Sequence, residues 1–427
     1  MSFGTTYAAP LVMAEIPGTK GLDSTKDLLR EGYGFISRRC EALETDVFET
    51  RLMLRRAICM RGPEAARAFY DGDRFTREGA MPPTTLRLLQ DKGSVQSLEG
   101  EAHRHRKRMF MGLMSPEGIA RIGDLFDARC QAKLADWEQL DHVVLHPVMQ
   151  EILAHTAMRW VGFEPGEAEL REWTSDLAAM IEKAGSFSPA VVAALGKRER
   201  AEARARELID AVRRGERAVP EDSALRALAD HRDLEGHLLD LKTAGVELLN
   251  LLRPIVAVAR YITFVALSWH EQAAMRPSLA VNDAASVERW VQEVRRFYPF
   301  FPLIGGRALQ PVRVGEHLIP RESWVLLDLY GTNRDPRTWD APEAFRPDRF
   351  DGWEPSLYNF IPQGAGDHFS THRCPGEMIT VELMKRAVRF LTADTHYNVP
   401  EQDLSIPMDR MPTLPESGFV LRDIRAT

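Results

Sequence analysis

Apolar residues recur along this chain mainly at the three-to-four-residue spacing of helices, with shorter alternating stretches between them. Asp23–Leu43 is predicted to be broadly helical. Val47–Cys59 carries Phe48, Thr50, Leu52 and Leu54 on one parity, which predicts a strand or the first half of a hairpin. Pro63 then opens a predicted helix, PEAARAFYDGDRF, at a first-turn position where a missing N–H costs nothing. From Glu99 to Gly215 the pattern is mostly helical, with Ser115 as an N-cap before Pro116 and Glu117. Within it, Lys197–Arg217 is dense in Arg, Glu and Ala and predicts a helix whose charges face solvent.

Asp233–His270 predicts one long helix with Pro254 inside it, where a kink or local break is expected. Ser286–Tyr298 predicts a further helix, stopped by Pro299. Strands are expected from Arg307 to Leu329, with turns at Gly315–Glu316 and Pro320, and Arg334–Phe350 is Pro-rich irregular chain. A loop with Gly364, Gly366 and Asp367 leads to Cys374-Pro375-Gly376 and a helix to about Leu391, after which short strands and Pro-bearing turns alternate. Residues 1–20 form a lead-in, and no polar linker divides the chain. The expected fold is mainly α with small β-sheets, as a single large domain over residues 1–427.

Composition narrows the function classes. A net charge of −7 disfavours a general nucleic-acid binder. Hydrophobic residues at 44% and charged residues at 27% are globular proportions. Four cysteines in 427 residues do not make a disulfide scaffold and fit a reducing compartment, so a cytoplasmic location is expected. The N-terminus has no basic start before an apolar block, as a secretory signal would. The longest apolar stretch, Pro254–Trp269, has 16 residues and includes Arg260, Tyr261 and Thr263, so no membrane span is expected.

Cys374 stands out chemically. Arg373 and His372 precede it and a helix start follows it, conditions that lower a thiol pKa. Taken alone, the residues leave open a reactive thiol or an ordinary buried cysteine. Cys40, Cys59 and Cys130 lack ligand spacing, which disfavours zinc. A thiolate bound to haem iron needs one cysteine only. Glu293 and Arg296, three apart in EVRRF, can pair on one helix face.

The order ExxR, then Phe345-Arg346-Pro347-Asp348-Arg349-Phe350, then Cys374 with Gly376 two residues on, resembles the C-terminal half of a cytochrome P-450. That resemblance implies haem b as cofactor, Cys374 as axial ligand of its iron, and a structural triad of Glu293, Arg296 and Arg349. It also has departures. The Cys loop, QGAGDHFSTHRCPG, is longer than usual and has Asp367 where a phenylalanine stands seven residues before the cysteine. On the long helix, Arg253 and Pro254 replace the usual acid and threonine.

The segments AGVELLNLLRP, QEVRRFYPFFP, KGSVQSLEG and HRHRKRMFMGLM are similar to the bacterial fatty-acid peroxygenase branch. The likeness implies hydroxylation of long-chain fatty acids at the α and/or β carbon by hydrogen peroxide, without a redox partner. Arg253 would hold the substrate carboxylate, which then stands in for the missing acid; a guanidinium grips a carboxylate bidentately at any working pH. His103, Lys107, Arg77, Arg307 and His372 match propionate contacts, and Gln96 matches a residue over the haem face that is glutamine in hydroxylating members. Phe300 and Phe301 fit either an acyl tunnel or the core. Competing readings are a decarboxylase making terminal alkenes, a reductase-dependent monooxygenase, and a haem sensor or carrier without turnover.

Overall fold

The computed structural model describes residues 14–90, 93–186 and 188–427, so most of the expected lead-in lies outside the described residues. Its backbone is one helix, Leu241–Glu271, whose 31 residues are apolar nearly all round. A helix of that character needs neighbours on every side. Helices Leu145–Val161, Ala190–Arg213 and Glu377–Arg389 pack against it. It is long and apolar enough to cross a membrane, but 89% of its most apolar window is buried inside the protein. Asp240 caps it by accepting from Thr243 N at 2.9 Å. The helix runs unbroken through Pro254, so of the expected kink or local break the break does not occur. Burial of the turns on both sides holds it together, while proline's missing N–H leaves the Asn250 carbonyl without its helical donor.

Other expectations shift at their edges. Asp23–Leu43 divides into helices Thr25–Glu31 and Phe35–Ala42 around a single 3-10 turn at Gly32, whose φ is +51°. Val47–Leu52 and Arg55–Met60 form a complete hairpin. The helix at Pro63 is shorter than expected, Gly62–Tyr70, because Phe75 enters a strand. Ser115 caps its helix as expected, with Oγ accepting from Gly118 N at 3.2 Å. Lys197–Arg217 is corrected: on helix Ala190–Arg213, Arg198 and Glu202 are buried rather than solvated, and they pair at 3.5 Å.

A five-stranded sheet packs beside the helices. Its order is Val47–Leu52, Arg55–Met60, Trp324–Asp328, Leu303–Ala308, Phe75–Thr76. Arg55–Met60 runs parallel to Trp324–Asp328, and the other pairings are antiparallel. The last pairing sets Thr76 opposite Arg307, which brings Arg77 to the rim of the helical core. A second sheet joins His142–Val144, Val420–Ala426 and Thr395–Asn398.

The ExxR helix, Ala284–Phe297, is capped by Asp283, which accepts from Ala285 N and Ser286 N. Glu293 receives two bonds of 2.7 Å from Arg296, and Arg349 Nε reaches it at 3.2 Å. Arg296 also donates to the Pro342 and Ala344 carbonyls, and Arg349 to those of Asp340 and Ala344. Two arginines on one buried carboxylate thus pin the irregular stretch before the Cys loop to this helix. Arg349→Ala should destabilise folding by roughly 3–5 kcal/mol, the usual cost of breaking a buried pair. Denaturant unfolding measures this, and a variant within about 0.5 kcal/mol of the parent would show that the triad does not anchor the stretch.

Candidate functional site

Cys374 lies on a short loop just before helix Glu377–Arg389. Its N–H donates to the Gln363 carbonyl at 3.0 Å, and His368 Nε2 meets its carbonyl at 2.9 Å. Gln363 Nε2 points at Sγ from 3.8 Å. Gly364, with φ +101°, must be glycine here, since a Cβ would stand 2.9 Å from the Tyr70 hydroxyl. Asp367, in place of the usual phenylalanine, caps the extra turn by accepting from Phe369 N and Ser370 N.

The thiol pKa is not lowered, against expectation. Burial pushes it up to about 11. The expected cations are turned away: Arg373 pairs with Glu377 at 2.7 Å, and His372 faces Glu99 at 3.2 Å. Yet Cys374 keeps accessible surface. On the central helix Pro254 is exposed and Ala257 partly so, while their neighbours are buried. The spacing i, i+3 puts both on one face.

Eight lysine and arginine residues are buried among the described residues. Five form ion pairs: Arg106 with Glu247, Arg198 with Glu202, Arg260 with Glu182, Arg295 with Glu377, and Arg296 with Glu293. The other three, Arg77, Lys107 and Arg253, bond only neutral groups among the described residues. Arg77 donates to the Gly305 carbonyl at 3.0 Å and lies over the Phe69 ring. Lys107 donates to the Thr371 and Arg373 carbonyls, and burial lowers its pKa to about 8. Arg253 donates to the Leu88 and Leu89 carbonyls and to Asn250 Oδ1, and burial, with Arg198 nearby, lowers its pKa to about 9.

The remaining expected residues fall unevenly. His103 stacks on His372 with ring centres 3.9 Å apart, beside Lys107, and burial drops its pKa to about 3. Arg77, His103, Lys107 and His372 therefore gather around the Cys loop, with Glu99 linking His372 to the Arg77 N–H. Arg307 does not join them: its side chain is partly exposed and reaches Glu322 at 3.8 Å. Gln96 Oε1 accepts from Asn250 at 3.1 Å. Phe300 stacks on Tyr261 at 4.2 Å, and Phe301, 44% exposed, meets it edge-on.

Residues 281–392 match the cytochrome P-450 family. Three solved structures align with almost the whole chain. Cytochrome P-450SP alpha (CYP152B1) in complex with (R)-ibuprofen is 43% identical, with 95% of this chain and 99% of that one covered and a TM-score of 0.92. Cytochrome P-450EX alpha (CYP152N1) with myristic acid is 37% identical over 97% and 100% of the two chains, TM-score 0.93. A variant of cytochrome P-450 OleT in complex with arachidonic acid is 31% identical over 97% and 99%, TM-score 0.93. The chain belongs to the cytochrome P-450 family. It is a haem-thiolate oxidoreductase of the CYP152 fatty-acid peroxygenase branch.

The residues of this P-450 fit a haem. Cys374 is half-buried with accessible surface, and two buried cations without a carboxylate partner among the described residues, Arg77 and Lys107, stand by its loop. The supports of that loop escaped the sequence reading. Arg295 pairs with Glu377 at 2.5 Å and donates to Gln363 Oε1 at 3.0 Å, so one buried pair ties the ExxR helix to both sides of the loop. Their nearness in sequence to ExxR and to Cys374 was the available signal.

Burial alone would raise the Glu377 pKa, but Arg295 and Arg373 hold it down to about 2 from 4.5. A depressed carboxyl pKa contributes stability above 4.5 that is lost as pH falls toward 2. Glu377→Gln should therefore be less stable than the parent at neutral pH, by roughly 3–5 kcal/mol. The gap should narrow below pH 4.5. Unfolding series at several pH values measure this, and a gap that stays constant with pH would reject the assignment.

Proposed function

We propose that this protein uses hydrogen peroxide to hydroxylate long-chain fatty acids at the α and/or β carbon, with the substrate carboxylate held by Arg253. The observation that carries this is Arg253 itself, a guanidinium 4% exposed, on the central helix, with no ion pair among the described residues. A buried unpaired charge is expensive, and an incoming carboxylate relieves it. Myristic acid, arachidonic acid and ibuprofen, bound in the related structures, are all carboxylic acids.

Haem b would supply the iron at which peroxide is activated, and Cys374 would hold that iron through its thiolate. Lys107, His103, Arg77 and His372 would hold its propionates. Two propionates and one substrate carboxylate make three anions, matching the three unpaired buried cations.

The central helix offers no proton carrier of its own at the Arg253 turn. Pro254 has no side-chain donor. Glu247 is committed to Arg106 at 2.7 Å and to Val95 N at 2.8 Å. A carboxylate gripped by Arg253 supplies the missing group: it accepts a proton from one peroxide oxygen and returns it to the departing one. General acid–base help of this kind is worth roughly 10²–10⁴-fold. No redox partner is then required. Gln96 favours hydroxy acid over terminal alkene as the product, and Phe300 and Phe301 would border the acyl chain. One large domain, residues 1–427, holds all these parts. Four free cysteines fit a cytoplasmic setting.

Cys374→Ser should lose the thiolate spectrum of the reduced carbon monoxide complex together with oxidation; retention of both would remove Cys374 from the role. Arg253→Ala should lower myristate oxidation with peroxide by roughly 10²-fold or more, followed by chromatography of the hydroxy acids. A parent enzyme that is inert with peroxide and turns over only with a reductase and a nicotinamide would reject the peroxygenase reading.

A further inference from the structure

Asn250 lies one turn before Arg253, is buried, and makes three side-chain hydrogen bonds. Its Oδ1 accepts from Arg253 Nη2 at 3.0 Å. Its Nδ2 donates to Glu247 Oε2 at 2.9 Å and to Gln96 Oε1 at 3.1 Å. The amide has only one workable way round. A guanidinium has no acceptor, so Oδ1 must face Arg253. Turned over, Nδ2 would oppose the N–H groups of Arg253 and Oδ1 would oppose two oxygens. Glu247 is fixed in turn by Arg106 and by Val95 N.

This orientation passes on to Gln96. Its Oε1 is committed to Asn250, which leaves Nε2 without a partner among the described residues. Gln96 is only partly buried. The set therefore ends in donors on both sides, the Arg253 guanidinium and the Gln96 amide. Residue 250 is also neutral. An amide orients the guanidinium without cancelling its charge, whereas a carboxylate of the same shape would neutralise it.

We propose that Asn250 is a positioning residue for acid recognition, committing Arg253 and Gln96 as donors to one anionic head group while leaving the arginine charge unspent. This rests on the reading of Arg253 as the carboxylate anchor. It is a claim about selectivity, so the measurement is a ratio: the affinity for laurate over that for 1-dodecanol. Spectral titration and calorimetry on haem-loaded protein both give it.

Arg253→Ala should collapse the ratio; if it keeps the parent value, the anchor reading itself fails. With that control passed, Asn250→Asp should lower the ratio by about tenfold or more, the scale of a hydrogen bond to a charged group. Asn250→Leu, which loses the orientation but spares the charge, should lower it less. Gln96→Leu should also lower it, because the second donor is gone. If the Asn250 variants weaken both ligands equally, or keep the ratio within about twofold of the parent, Asn250 is a packing residue and the proposal is overturned. Should Asn250→Asp not fold, Asn250→Leu and Gln96→Leu decide by the same ratio.

Discussion

A charge taken out of water must find a counter-charge or be held at a cost, and this constraint organises the protein from its core outward. Five buried cations are matched by carboxylates of the chain. Three are held by neutral oxygens instead among the described residues: Arg77 by Gly305, Lys107 by Thr371 and Arg373, and Arg253 by Leu88, Leu89 and Asn250. The matched pairs build the frame. The unmatched cations define what the frame receives.

The frame works by relay. Glu293 collects Arg296 and Arg349 and so fixes the irregular stretch before the Cys loop. From the same helix Arg295 crosses to Glu377 and Gln363, which flank Cys374. The thiol sits in a loop held on one side by the buried Arg295–Glu377 pair and on the other by the Arg295–Gln363 hydrogen bond, with no cation among the described residues bonded to its sulfur. Burial pushes its pKa up to about 11, and a haem iron held there would supply the positive charge that favours the thiolate.

The central helix shows how one substitution changes what a position can do. Proline at 254 removes a donor and frees a carbonyl, yet the helix continues because its neighbours are packed on every side. Arginine at 253 brings a charge that the helix does not neutralise. Asn250 orients that charge from below, and Glu247, out of contact with it, holds Asn250. Polarity is carried across two helical turns by amides that can face only one way.

The sequence by itself determined the helices and their caps, because Ser115 and the apolar periods report elements directly. The triad and the cysteine loop were legible as well, but through the order of motifs that resembles the cytochrome P-450 family, since an ExxR pair on one helical face is by itself commonplace. The sequence also determined Arg253 and Pro254, because a charge and an imino acid inside an apolar helix are visible without coordinates. Tertiary structure alone decided which charges are spent. Arg198 and Glu202 look like a solvated helix face until the central helix covers them. Arg307 and Arg77 look alike in sequence, but one reaches Glu322 and the other is buried without a carboxylate. Cys374 has the neighbours of an activated thiol, and folding turns Arg373 and His372 to Glu377 and Glu99 instead. The pairing of a long side chain depends on what distant segments bring within a few ångströms, and no local period encodes that.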